Sequence, residues 1–103
     1  MQHHKRLLYT FFALLENNDT QQIKQALPAE KVALHNTLND WQKWITLWNS
    51  YELVSVGKSK LSTYQNSNNE RAFVSVILKI ENKDVNGTIK VSRINGMWVW
   101  DEN

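Results

Sequence analysis

The sequence predicts an α+β fold in which three N-terminal helices pack on a curved, cone-like antiparallel sheet of four strands. Apolar residues recur with a helical period as far as Trp48, and from Tyr51 onward they recur with the period of two that is typical of strands. Asn95-Gly96 adds a strong signal for a tight hairpin. Five tryptophans are divided between the two halves, which indicates one core shared by a helix and a strand: Trp41, Trp44, Trp48, Trp98 and Trp100.

The first two helices are predicted from apolar spacing and from capping residues. Residues 4–17 carry leucines and phenylalanines at helical intervals, and Asn17-Asn18 ends this helix. Asp19 then stands where an N-cap is expected, with Gln22 three residues later, which is a variant of the capping box. The short second helix stops at Pro28, because proline cannot continue a helix.

The third helix is predicted as one continuous element from Ala29 to Trp48. His35 falls on the polar side of its helical wheel, so we expect that histidine at the protein surface. The opposite face spans an arc of about 120°, which suits docking on a broad sheet. That face carries Leu34, Thr37, Leu38, Trp41, Trp44, Ile45 and Trp48. We expect Trp41 and Trp48 to fill the core.

Four strands are predicted after Tyr51. The first is formed by Tyr51–Val56 and Lys60–Tyr64, with a bulge or bend at Gly57-Lys58 between them. A polar loop over Gln65–Glu70 separates it from the second strand. The other strands are Arg71–Glu81, Thr88–Ile94 and Met97–Asp101.

The Asn95-Gly96 turn decides which side chains share a face of the sheet. A two-residue type I′ turn there pairs Ile94 with Met97 and Val91 with Trp100. The preceding hairpin is predicted to turn at Lys83-Asp84 or at Asn86-Gly87. Either turn keeps Val74, Val76, Leu78 and Ile80 on the face of Val91 and Trp100. The opposite, outer face is half apolar, with Phe73, Ile77, Met97 and Val99 among polar residues.

Length and composition predict a single domain over residues 1–103, with 42% hydrophobic residues. The net charge is +2 and is spread over both halves, which does not favour nucleic-acid binding. The absence of cysteine excludes disulfides and thiol chemistry. The three glycines fall at turns, and His3-His4 has no third ligand at a zinc-like spacing. We therefore expect no cofactor and no metal.

The N-terminus superficially resembles a signal peptide. His3-His4-Lys5-Arg6 precedes the apolar run Leu7–Leu15, but no small-residue cleavage site follows. The run is also too short to span a bilayer, so no membrane span is expected. A native start at Met1 implies the cytoplasm, whereas a leader trimmed from the chain implies the cell envelope.

Two stretches of the chain resemble the nuclear-transport-factor-2-like (NTF2-like) superfamily, also called cystatin-like. Leu8-Tyr-Thr-Phe-Phe-Ala-Leu-Leu-Glu-Asn-Asn-Asp19 is similar to its opening helix, and Ile94-Asn-Gly-Met-Trp-Val-Trp100 is similar to its final hairpin. The order of helices and strands matches over nearly the whole chain. The resemblance implies a cone between a long helix and the sheet, and pairing of two copies through the outer sheet face. It also implies, for enzymes of the group, an Asp, His or Tyr inside the cone.

The candidate site residues are Asp40, Trp44, Tyr51, Arg93 and Trp98. Asp40 among indoles is a candidate general base, with Tyr51 as its companion. The alternative is a solvated Asp40 and an Arg93 that stacks on Trp98. Trp44 and Trp98 are candidate ligand contacts at the mouth of the cone, because indoles bind apolar ligands and anchor partners.

These observations favour a non-catalytic binding or assembly module that forms a homodimer through the outer sheet face and binds a protein partner or a small apolar ligand. Two alternatives stay open. One is a small isomerase- or dehydratase-like enzyme that uses Asp40 with Tyr51. The other is an immunity-type partner of a secreted effector. An enclosed cavity around Asp40 would favour the enzyme, whereas a filled cone with Asp40 in solvent would exclude it.

Overall fold

The α+β fold class is confirmed by a computed structural model, which describes residues 2–63 and 70–102. Four helices precede one antiparallel sheet, in which the four strands are hydrogen-bonded in chain order. The helices are α1 Gln2–Glu16, α2 Thr20–Gln25, α3 Ala29–Leu38 and α4 Trp41–Asn49. The strands are β1 Glu52–Thr63, β2 Glu70–Ile80, β3 Lys83–Ile94 and β4 Met97–Trp100.

Helices α1 and α2 form as their sequence patterns predict. Leu8, Phe11 and Leu15, on one face of α1, are fully buried. The predicted N-cap is confirmed, because Asp19 Oδ1 accepts a hydrogen bond of 3.2 Å from the Gln22 backbone N–H. The cap begins α2 at Thr20, four residues after α1 ends at Glu16.

The predicted third helix is two helices, and the expectation of one continuous element is wrong. Asn39 adopts the left-handed conformation, with φ 51° and ψ 45°, and ends α3. Its N–H and that of Asp40 donate to carbonyls of the last α3 turn. Asparagine tolerates this conformation better than most residues. The chain therefore changes direction before Trp41, and the two halves of the predicted apolar stripe no longer share a face.

This change of direction overturns two expectations about burial. His35 is only 5% exposed and not at the surface, whereas Leu34 and Leu38 of the predicted core face are exposed. Trp44 is buried, while Trp41 and Trp48, expected to fill the core, are half-buried and pack against it. A helical wheel assumes one straight axis, and here that assumption fails at Asn39.

Strand β1 contains the predicted bulge. Val56 pairs with Val76 and Ser59 pairs with Val74, so two residues of β1, Gly57-Lys58, lie opposite Ser75 alone. Tyr64, the predicted end of this strand, and residues 65–69 of the predicted loop lie outside the described residues. Glu70, assigned to that loop from the sequence, begins β2 instead.

One of the two hairpin turns is predicted correctly. Asn95 and Gly96 have φ of 52° and 79°, and Val91 pairs with Trp100 as expected. The β2–β3 turn lies at Glu81-Asn82, with φ of 50° and 67°, and both predicted positions are wrong. Each predicted turn shifts the pairing of β2 with β3 by an even number of residues from the observed pairing. The same side chains therefore still face the helices.

Trp100 lies at the centre of the core, between the helices and the sheet. It is fully buried, and its ring stacks on Phe11 with centroids 4.4 Å apart. Trp48 meets it edge-on at 4.9 Å. The backbone N–H of Trp100 donates to the carbonyl of Ala26 over 3.0 Å, and the indole N–H of Trp100 donates to the carbonyl of Glu102. The space between the helices and the sheet is thus filled around Trp100 by aromatic rings.

Candidate functional site

The junction of α3 and α4 is held by two side-chain hydrogen bonds, and we call residues 34–47 the elbow. His35 Nδ1 and Asp40 Oδ1 are 2.8 Å apart, and Trp41 Nε1 donates to Asn36 Oδ1 over 2.7 Å. Each bond joins a residue of α3 to one beyond the break at Asn39. Together they fix the angle between the two helices.

His35 lies between two indole rings of the elbow. Its ring centroid is 5.0 Å from that of Trp41 and 5.2 Å from that of Trp44. Because the carboxylate of Asp40 accepts the hydrogen of Nδ1, Nε2 of a neutral imidazole is an acceptor. Within the described residues neither this Nε2 nor the buried N–H of Trp44 has a hydrogen-bond partner. An acceptor and a donor of complementary type therefore lie on neighbouring rings inside the elbow.

An open apolar concavity of about 610 Å³ lies on the outside of the elbow, and we call it the elbow groove. Leu38 and Leu47 are 59% and 55% exposed, and Leu34, one turn before Leu38, is 46% exposed. Lys43 supplies the only cation of the lining that the structure describes. The lining residues are Leu38, Asp40, Lys43, Trp44, Thr46 and Leu47.

Asp40 and Tyr51, the proposed acid–base pair, line different concavities. Asp40 lines the elbow groove and bonds to His35. Tyr51 packs on Trp48 at 5.4 Å between ring centroids and lines a smaller groove of about 350 Å³ beside α1. Because the two side chains line different concavities, they are not placed to act together on one substrate.

Trp98 and Arg93 lie at the other end of the sheet. Trp98 meets the ring of His4 edge-on at 4.3 Å and lines a third concavity of about 390 Å³. Arg93 is exposed, and its Nη1 lies 3.6 Å from Glu70 Oε1. Such an exposed ion pair stabilises a fold by little. Of the five candidate residues, Asp40 and Trp44 line the same concavity.

Two histidines that sequence reasoning did not assign to the interior are buried. His4 is fully buried, and a hydrogen bond of 2.9 Å joins its Nδ1 to Ser59 Oγ. His4 stands four residues before Leu8, so the helical stripe of α1 already contains it. For His35 the available signal is Asn39-Asp40, which favours a helix end and supplies the carboxylate that the histidine needs.

Across the described ranges, no three His, Cys, Asp or Glu side chains come together as a metal-binding group. No helix in the same ranges is both long and apolar enough to cross a membrane.

Comparison with solved structures shows that the fold is NTF2-like. The crystal structure of a proposed NTF2-like transpeptidase from Campylobacter jejuni matches with a TM-score of 0.52. The match covers 95% of this chain and 96% of that one, at 10% sequence identity. No protein-family model matches the sequence, and no curated protein matches it significantly. At this identity the likeness concerns the fold alone, because one fold supports many functions.

Proposed function

We propose that this protein is a non-catalytic binding module whose elbow groove holds apolar groups of another molecule. The observation that carries the proposal is the exposure of Leu38 and Leu47, at 59% and 55%, in one concavity, with Leu34, 46% exposed, one turn before Leu38. Exposed leucines that lie singly need no explanation, but a contiguous apolar patch is typical of an interaction site.

The arrangement of polar groups supports a binding role over a catalytic one. Asp40 is bonded to His35, and the imidazole is only 5% exposed, so a substrate has little access to it. Tyr51 belongs to another groove. General acid–base catalysis requires both groups within hydrogen-bond reach of one substrate, and the elbow offers no such pair.

Binding of 8-anilinonaphthalene-1-sulfonate, an anionic dye with an apolar ring system, tests the groove directly, with fluorescence for affinity and amide NMR shifts for location. Leu38→Glu and Leu47→Glu are expected to weaken dye binding about tenfold or more, because burial of a leucine contributes about 1.5–3 kcal/mol. Leu61→Glu is the matched control, since Leu61 is 51% exposed on β1, outside the groove. An equal loss of dye affinity in all three variants, or NMR shifts at residues outside the elbow groove, would contradict the proposal.

Self-association through the outer sheet face is a second candidate role. Phe73 and Met97 on that face are 38% and 67% exposed. Beside Phe73 along β2 lies a concavity of about 500 Å³, lined by small residues that include Gly57, Ser75 and Thr88. The concavity has room for the phenyl ring of a second copy, which supports a two-fold arrangement.

Sedimentation velocity tests this self-association. We expect a dimer for the wild-type protein and a monomer for Phe73→Glu, because the glutamate would bring two like charges into the interface. Leu61→Glu adds the same charge on β1 and is expected to stay dimeric. A wild-type protein that remains monomeric at high concentration would rule out the outer-face dimer.

A further inference from the structure

We infer that the elbow groove receives a single amphipathic helix of a partner protein, with two apolar side chains one turn apart and a carboxylate beside them. This inference rests on the proposed function, because it names the occupant of the same groove.

The leucines of α3 indicate a helical occupant. Leu34 and Leu38 stand four residues apart on α3, so they form a ridge along the helix axis. Leu47 projects from α4 on the other side of the groove. Two helices that meet at an angle with exposed leucines accept a third helix by ridge-into-groove packing. A strand would need unpaired backbone N–H and C=O groups on the groove wall to bond to. The walls are helices, whose backbone groups are hydrogen-bonded within the helix.

The size and openness of the groove favour one helix over a whole second copy or a small molecule. The largest apolar patch on a typical monomer covers roughly 300–600 Å². A stable globular interface needs about 800 Å² from each partner, more than such a patch supplies. Small ligands lie in pockets that enclose about 70–90% of their surface, whereas the elbow groove is an open concavity. A single helix needs neither an interface of that size nor an enclosed pocket.

Charge defines the rest of the partner's chemistry. Lys43 is exposed and stands four residues before Leu47, on the same face of α4. Across the described part of the chain no ion pair involves Lys43, whereas Asp40, the other charged group of the lining, is bonded to His35. A carboxylate on the incoming helix therefore has a cation to face beside the leucines.

Three peptides of roughly 16 residues, longer than the ~12–15 at which isolated helices become marginal, test this inference with the full-length protein. The first is an amphipathic helix with leucines at i and i+4 and a glutamate one turn away. The second carries a central proline in place of an alanine, and the third carries lysine in place of the glutamate. Calorimetry measures affinity, and NMR shifts at Leu38 and Leu47 measure location.

We expect the first peptide to bind at the elbow groove and the proline peptide to bind about 100-fold more weakly, because proline breaks the helix. Lys43→Glu is expected to lower the affinity for the glutamate peptide about twofold to fivefold, because two like charges then meet. It is expected to raise the affinity for the lysine peptide, because opposite charges then meet. Lys60→Glu, which changes an exposed lysine of β1, is expected to alter neither affinity.

The possible failures are distinguishable. Dye binding at the elbow together with equal affinity for the helical and proline peptides would overturn the inference of a helical partner. The proposed role of the elbow groove as a binding site would still stand. Loss of the sedimenting dimer in Leu38→Glu would show that a second copy occupies the groove, which also overturns the inference. Absence of both dye and peptide binding would overturn the proposed function itself.

Discussion

Substitution of Asn39 tests whether one left-handed residue sets the angle of the elbow. Asn39 has φ 51° and ψ 45° at the end of α3. The left-handed conformation costs an ordinary L-residue about 1–2 kcal/mol, asparagine less, and glycine almost nothing. We therefore expect Asn39→Ala to lower the free energy of unfolding by about 1 kcal/mol. Asn39→Gly is expected to stay within about 0.5 kcal/mol of the wild type.

Urea denaturation measures these differences, with an unchanged slope as evidence that the transition stays two-state. In thermal unfolding, a loss of 1 kcal/mol corresponds to about 4–8 °C for a small domain. Asn17→Ala is the control, because Asn17 is exposed and is not among the described residues with positive φ. An Asn39→Ala protein as stable as the wild type, or an equal loss in Asn39→Gly, would refute the conformational argument.

Three further substitutions test the hairpin, the elbow and the core by chemical denaturation. Gly96→Ala is expected to cost about 1 kcal/mol because φ is +79°, although no atom of the described residues lies within 4 Å of the added Cβ. Gly87→Ala, which meets only ordinary contacts, should cost less. Asp40→Ala is expected to cost about 1–3 kcal/mol by leaving Nδ1 of His35 unpaired, and Asp40→Asn, which keeps an acceptor, should cost less; equal losses would contradict this. Trp100→Ala is expected to cost about 3–5 kcal/mol, and a loss under about 1 kcal/mol would contradict its central position.

The separation of the candidate residues narrows the functional question to the elbow. Asp40 and Trp44 share a groove, but Tyr51 lines another concavity, and Arg93 is exposed beside Glu70. The binding hypothesis therefore rests on exposed leucines and not on the pair of residues first chosen for catalysis. Leu34 and Leu38 became recognisable as part of a site only in the structure, because the break at Asn39 leaves them exposed.

Local rules predicted those elements in which neighbouring residues decide the conformation. Asp19 caps α2, Gly57-Lys58 forms a bulge, and Asn95-Gly96 forms the last turn, as expected from side chains adjacent in sequence. The β2–β3 turn was misplaced because several turn-forming pairs compete between Asn82 and Gly87, and local propensity does not choose among them. The inward face of each strand was still predicted correctly, because side chains alternate between the two faces and an even shift in strand pairing leaves each one on its face.

Apolar periodicity was enough to specify the α+β class and the change from helices to strands, and together with the Asn95-Gly96 turn it specified the inward face of the sheet around Val91 and Trp100. Packing decided the elbow. The local signal for the bend, Asn39-Asp40, favours a helix end but does not require one, because a straight helix from Ala29 to Trp48 also satisfies its own backbone hydrogen bonds. The bend brings His35 onto Asp40 and between two indoles, and these contacts exist only when α3 and α4 meet in three dimensions.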